Sequence, residues 1–99
     1  KLNAAAQQRA VEIATVTSHT RPDGTSCFTV LDDFNVTDEA TGENAAWGQV
    51  TPEEVVNDWM NSEGHRANIL NPDAHKMGFG YYSDNSSEWG RQWIQIFTE

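Results

Sequence analysis

Thr51-Pro52-Glu53-Glu54-Val55-Val56-Asn57-Asp58-Trp59-Met60-Asn61-Ser62-Glu63-Gly64-His65-Arg66-Ala67-Asn68-Ile69-Leu70-Asn71-Pro72 is the stretch on which the reading of this 99-residue chain turns. Thr51 can cap free amides, and Pro52 fits a first helical position. Glu54 sits where a capping box reaches back, and both acids suit the positive end of a helix dipole. A helix therefore starts at Thr51, with Val55, Val56, Trp59 and Met60 as its buried face and Gly64 as its stop. His65 is then expected at a helix terminus. Arg66 reads as a structural clamp on carbonyls or a carboxylate, and Asn68 and Asn71 as cap or turn formers.

Towards the N-terminus, Leu2, Ala6, Ala10, Ile13 and Ala14 recur at helical spacing, predicting a helix from Leu2 to about Val16. Its face of small residues buries little area and calls for a covering element, for which a preceding helix would suit. Ser18 to Ser26, with Pro22-Asp23-Gly24, reads as a loop. Phe28, Leu31 and Phe34 fit one face of a short helix, and Gly42 then interrupts the pattern. Towards the C-terminus, Met77, Phe79 and Tyr81 alternate with Gly78 and Gly80, a strand that something approaches closely on its glycine face. After a polar tip from Ser83 to Gly90, Trp93, Gln95 and Phe97 oppose Gln92, Ile94 and Ile96. The two strands are expected to form an antiparallel hairpin buried on both faces, so helices followed by a hairpin indicate an α+β layered fold.

The length suits one domain, 1–99. Leu (3), Ile (4), Val (7) and Phe (4) are few, so four Trp and two Tyr are expected to carry much of the core. Fifteen acidic residues against six basic ones, a net charge of −9, disfavour nucleic acid and anionic lipid heads as partners. The acidic shell reads as solubility, with weak attraction for cations or basic ligands. No apolar run approaches the roughly 20 residues of a transmembrane helix, and Lys1-Leu2-Asn3 lacks a signal-peptide layout. Cys27 stands alone and closes no internal disulfide.

His19 in a polar loop, Glu43 beside Gly42 and His65 after Gly64 are the candidates for chemistry. Brought together, two neutral imidazoles and a carboxylate would hold Zn²⁺ with an open position, or shuttle a proton while Glu43 orients an imidazole. Spacing alone is no stronger evidence for this than for surface or hydrogen-bonded histidines, since no H-E-x-x-H is present. His75 reads as solvent-facing. Without a G-x-S-x-G elbow, no serine nucleophile is expected at Ser18, Ser26 or Ser62. Cys27 fits either a buried hydrophobe or a thiol paired with His19 or His65. Trp47, Trp59 and Trp93 read as core, or as a cleft wall.

Four blocks carry a resemblance: Ser18-His19-Thr20, Gly42-Glu43-Asn44-Ala45-Ala46, Thr51 to Ser62, and Gly64-His65-Arg66-Ala67-Asn68-Ile69-Leu70-Asn71-Pro72. In order and spacing they resemble the bacterial branch of the CAP superfamily, the SCP-like extracellular proteins that include cysteine-rich secretory proteins, antigen 5 and plant pathogenesis-related proteins. The resemblance implies a three-layer α-β-α sandwich, secreted or attached to a cell surface, with a cleft lined by two His and two acidic residues. His19, Glu43 and His65 match three of these positions; the fourth falls on Ser62, with Glu63 adjacent. Some members bind a divalent ion there, and others bind sterols or fatty acids in separate grooves. Zn²⁺ or another divalent cation is thus the implied cofactor, and a small molecule, a lipid or a cell-surface protein the implied partner. A metal- or Glu43-assisted hydrolase, peptidase or esterase, using the same residues is the alternative. Family domains normally begin with one more helix, so the resemblance implies a domain truncated at its N-terminus. The exposed Ala face would then be covered by a second copy of the chain, and any disulfide partner of Cys27 would lie in the missing segment.

Overall fold

The computed structural model describes residues 1–84 and 90–99. The described elements are α1 (Leu2–Ile13), a 3-10 turn (Cys27–Thr29), α2 (Val30–Asp33), β1 (Ala40–Trp47), α3 (Pro52–Met60), α4 (Glu63–Leu70), β2 (Lys76–Ser83) and β3 (Arg91–Thr98). The strands form one antiparallel sheet of order β1-β3-β2. One face packs on α1 and α2 through Ala5, Ala6, Ala10, Ile13, Ile94 and Ile96. The other packs on α3 and α4 through Ala46, Val55, Trp59 and Trp93. The result is the three-layer α-β-α sandwich.

The helix start at Thr51 stands. The Thr51 hydroxyl accepts from Glu54 N–H at 3.1 Å, and the Glu54 carboxylate accepts from Val50 N–H at 3.2 Å, one residue before the cap. Val55 and Trp59 are buried, whereas Val56 is 37% exposed, because only one stripe of so short a helix meets the sheet. Gly64 does not end this helix. The chain turns at Asn61 and Ser62, and Gly64 lies in the first turn of α4, beside His65.

β1 is the element that pattern reading overlooks. Ala-Thr-Gly-Glu-Asn-Ala-Ala-Trp has neither clean alternation nor β-branched content beyond Thr41. Its extended form is imposed by the ladder with β3, from Ala40 opposite Thr98 to Trp47 opposite Gln92. β3, in the middle, is buried on both faces as expected. β2 is an edge strand and departs from that expectation, with Met77 47% and Tyr81 38% exposed. Part of the polar tip lies outside the described residues.

The glycine face of β2 is approached closely, and by α1. A Cβ at Gly78 would fall within 3.0 Å of the Leu2 backbone, and one at Gly80 within 3.0 Å of Ala6 and Gln7 backbone atoms. At this distance Asn3 Oδ1 and Gln7 Oε1 reach past the sheet and accept from the Phe79 and Tyr81 N–H groups, both at 3.0 Å, so the outer edge of β2 is paired. Ala5, Ala6 and Ala10 have no exposed surface. The alanine face is covered within this chain by the sheet, whose Ile94 and Ile96 pack against it. The rings serve the opposite layer: Trp59 and Trp93 flank Phe79 edge-to-face at 6.2 and 5.9 Å.

A methyl at Gly80 must push backbone rather than a flexible side chain. G80A is therefore expected to lose about 1–3 kcal/mol, read as a fall of roughly 4–20 °C in thermal midpoint. G64A, whose Cβ meets nothing within 4 Å, is expected to leave the midpoint unchanged or slightly raised.

Candidate functional site

Side chains of consecutive strand residues point to opposite faces, and β1 uses that rule at Glu43 and Asn44. Glu43 faces α1, where Oε2 accepts from Arg9 Nε at 2.8 Å and Oε1 from Arg9 Nη2 at 3.2 Å. Glu43 Oε1 also meets His19 Nδ1 at 2.8 Å. Asn44 faces α4, where its Nδ2 donates to the His65 carbonyl at 3.1 Å and its Oδ1 accepts from Asn68 Nδ2 at 2.9 Å. The Asn68 amide also donates to the Glu43 carbonyl at 3.3 Å, and Gly42 leaves room for it. Asn68 is thus a tie between α4 and β1 rather than the cap or turn former expected; Asn71 does form the turn, accepting from Asp73 N–H.

The two histidines consequently meet around the edge of β1. Both line one small cleft of about 150 Å³ with Ile13, Thr17, Ala45 and Trp47. His19 arrives on the loop, whose backbone is closed by Cys27 N–H to the His19 carbonyl at 2.8 Å. Its side chain is 60% exposed while that of Glu43 is 1% exposed, so carboxylate and loop, not a surrounding core, fix the ring. Burial, and then the nearby charge of His19, hold the His65 imidazole below the usual histidine range. Of the three expected tryptophans, Trp59 and Trp93 are core, and Trp47, 39% exposed, walls the cleft.

An ionic chain of alternating sign stands behind the cleft. Asp33 pairs with Arg21 at 2.9 Å, Arg21 with Glu12 at 2.7 Å, Glu12 with Arg9 at 2.9 Å, and Arg9 with Glu43. Helical spacing marks Arg9 and Glu12 as a same-face pair, but not as a buried one, and both were missed. The clamp expected at Arg66 is here instead. Arg66 is exposed and makes no ion pair or side-chain hydrogen bond among the described residues.

Cys27 is buried, 4% exposed, and its thiol is pushed up to about 11 by burial and by the Glu43 charge, so it stays protonated near neutrality. Among the described residues, His19, Cys27 and Glu43 are the group whose ligand atoms lie within 4.8 Å of one another, and His65 is not in it. Arg9 occupies the Glu43 oxygens there, which disfavours a cation at that spot. Ser62 and Glu63 do not line the cleft, and His75 faces solvent. A larger open groove of about 530 Å³, bordered by Phe28, Leu31, Asp32 and Glu39, contains no histidine.

The sequence profile of the CAP family, described as the cysteine-rich secretory protein family, matches residues 1–97. The Bacillus subtilis (strain 168) protein YkwD is 49% identical over 76 residues, covering 77% of this chain and 29% of YkwD. The membrane protein YlbC of the same organism is 39% identical over 59 residues, covering 56% of this chain and 17% of YlbC. The chain thus spans less than a third of either curated relative. An extracellular protein containing an SCP domain from Bacillus anthracis superimposes with a TM-score of 0.84 at 25% identity, over 99% of this chain and 31% of that one. An outer surface protein of Borrelia burgdorferi does so at 0.81 and 23% identity, over 99% of this chain and 72% of its own, a likeness of fold. Among the described residues, no helix is long and apolar enough to cross a membrane.

Two outcomes are expected. E43A leaves the buried Arg9 cation with only Glu12, itself shared with Arg21, as countercharge and costs roughly 3–5 kcal/mol, measured by urea denaturation. Because His65 is held low in the folded state, the unfolded chain takes up its proton first as pH falls. Stability from this group is full above the ordinary histidine pKa and declines below it. The thermal midpoint of the wild type should therefore drop between pH 7 and 5 by more than that of H65Q; parallel profiles would contradict the assignment.

Proposed function

The chain belongs to the CAP, or cysteine-rich secretory protein, family, and from that premise we propose that it is an extracellular binding module whose cleft takes a divalent cation through His19 and His65. The observation that carries this reading is the arrival of both imidazoles at one cleft from opposite faces of β1. Glu43, gripped by Arg9, accepts from His19 Nδ1–H, and Nε2 of that ring is left with its lone pair. His65, held low, is neutral near pH 7 and equally able to donate a lone pair. The donor set is borderline-soft nitrogen, which suits Zn²⁺.

Glu43 acts here as orienter rather than ligand, since both of its oxygens are engaged. The same engagement makes it a poor base for activating water, so binding is favoured over hydrolysis. A bound Zn²⁺ would supply open coordination positions for an oxygen or nitrogen of a small-molecule or surface partner. Ile13, Ala45 and Trp47 would meet the apolar part of that partner. The extracellular assignment is supported by the Bacillus anthracis extracellular protein and the Borrelia outer surface protein that share the fold.

Calorimetric titration with ZnCl₂ at pH 7.5 tests the reading. One saturable site is expected in the wild type and none in H19A/H65A, with the two proteins melting comparably. No heat in the wild type, or unchanged heat in the double variant, would overturn it.

A further inference from the structure

The Arg9 guanidinium bonds to three separate parts of the chain. Its Nη1 donates to Glu12 on α1 at 2.9 Å, its Nη2 to the Ser18 carbonyl at 2.7 Å, and its Nε and Nη2 to Glu43 on β1 at 2.8 and 3.2 Å. The side chain has no exposed surface. Ser18 is the residue before His19, and Glu43 is the group that holds the His19 ring. One planar cation therefore bears on both the backbone that carries His19 and the carboxylate that sets its imidazole.

We propose that Arg9 is a positioning residue of the cleft: through Ser18 it fixes where His19 stands, and through Glu43 it fixes which ring nitrogen faces the ligand. The tautomer follows from acceptor arithmetic. A carboxylate held side-on by a guanidinium presents acceptors only, so Glu43 Oε1 accepts a hydrogen bond from Nδ1–H, and Nε2 keeps its lone pair. The guanidinium grips both oxygens of Glu43, which prevents the carboxylate from turning towards the cleft. Lysine cannot replace it, because a point-like ammonium has no rigid fork with which to hold a carboxylate side-on while also reaching a carbonyl. An ion pair serving stability alone would have no reason to share Oε1 with an imidazole that is 60% exposed.

This inference rests on the cation-binding reading, and its test separates the two. Nitrogen-15 chemical shifts of the His19 ring, recorded at neutral pH without metal, report the tautomer, and ZnCl₂ calorimetry reports the donor. The wild type should show the Nδ1–H form alone. R9K, if its melt is cooperative, should show a mixture of tautomers and bind Zn²⁺ roughly 10–100-fold more weakly. If R9K does not fold, R9Q/E12Q, which removes one cation and one carboxylate together, carries the same criteria. A wild-type His19 in the Nε2–H form or in a mixture overturns the proposal without any variant. A folded variant that keeps the wild-type tautomer, or the wild-type Zn²⁺ affinity where the wild type binds, also overturns it. Should the wild type bind no Zn²⁺, the cation reading fails, and the tautomers of the two proteins alone decide whether Arg9 sets His19.

Discussion

The ion pair between Arg9 and Glu43 is the constraint around which this molecule is arranged. Both side chains are essentially without solvent, and stripping water from two charges costs several kcal/mol per ion unless nearly every donor and acceptor finds a partner. Here that condition dictates structure. The remaining guanidinium hydrogens need Glu12 and the Ser18 carbonyl, Glu12 needs Arg21, and Arg21 reaches Asp33. Satisfying one buried pair thereby fastens helix α1, the loop carrying His19 and strand β1 to each other. The pair specifies geometry more than it adds net stability, because a well-packed apolar replacement would avoid the desolvation altogether.

Geometry of the edge strand does the rest. β1 pairs with β3 on one side only, and beside it one cleft is lined from both layers, by Ile13 and His19 on one side and His65 on the other. Glu43 and Asn44 project to opposite layers, so one dipeptide holds the His19 loop on one side and the His65 carbonyl on the other. On the free edge the Glu43 carbonyl accepts from Asn68 and the Ala45 carbonyl from the Trp59 indole at 3.2 Å. A sheet with two unpaired edges would invite other strands; here side chains from helices bond to backbone groups on both edges.

What pattern reading recovers and what it misses divide along physical lines. The capped helix at Thr51, the alanine-rich helix α1 and the alternation in β2 and β3 are written in local chemistry: a hydroxyl, a proline and a carboxylate at fixed offsets, or a period of two. β1 is not, because Ala, Gly, Glu and Asn have no preference for extended backbone that survives without a partner strand. Gly64 misleads for a related reason. Glycine is permissive in helices and turns alike, and only the turn at Asn61 and Ser62 decides that α4 begins where α3 was expected to end. Arg66 and Arg9 exchange roles because burial, not residue type, makes an arginine a clamp.

His19, Glu43 and His65 are legible as a set only through the family resemblance that the four short motifs carry; their spacing alone does not single them out. Sequence by itself thus determined the helices and the C-terminal strands, the helix cap at Thr51, the acidic composition and, through the family resemblance, the layered architecture. Tertiary structure alone decided how the three residues are placed: that His19 and Glu43 touch, that His65 lines the same cleft as His19, that Ser62 and Glu63 stay outside, and that Arg9 holds Glu43 from behind. The reason is that caps and periodicity act between neighbours in the chain. A buried charge is satisfied by whatever the fold brings near it, and for Glu43 that partner lies 34 residues away.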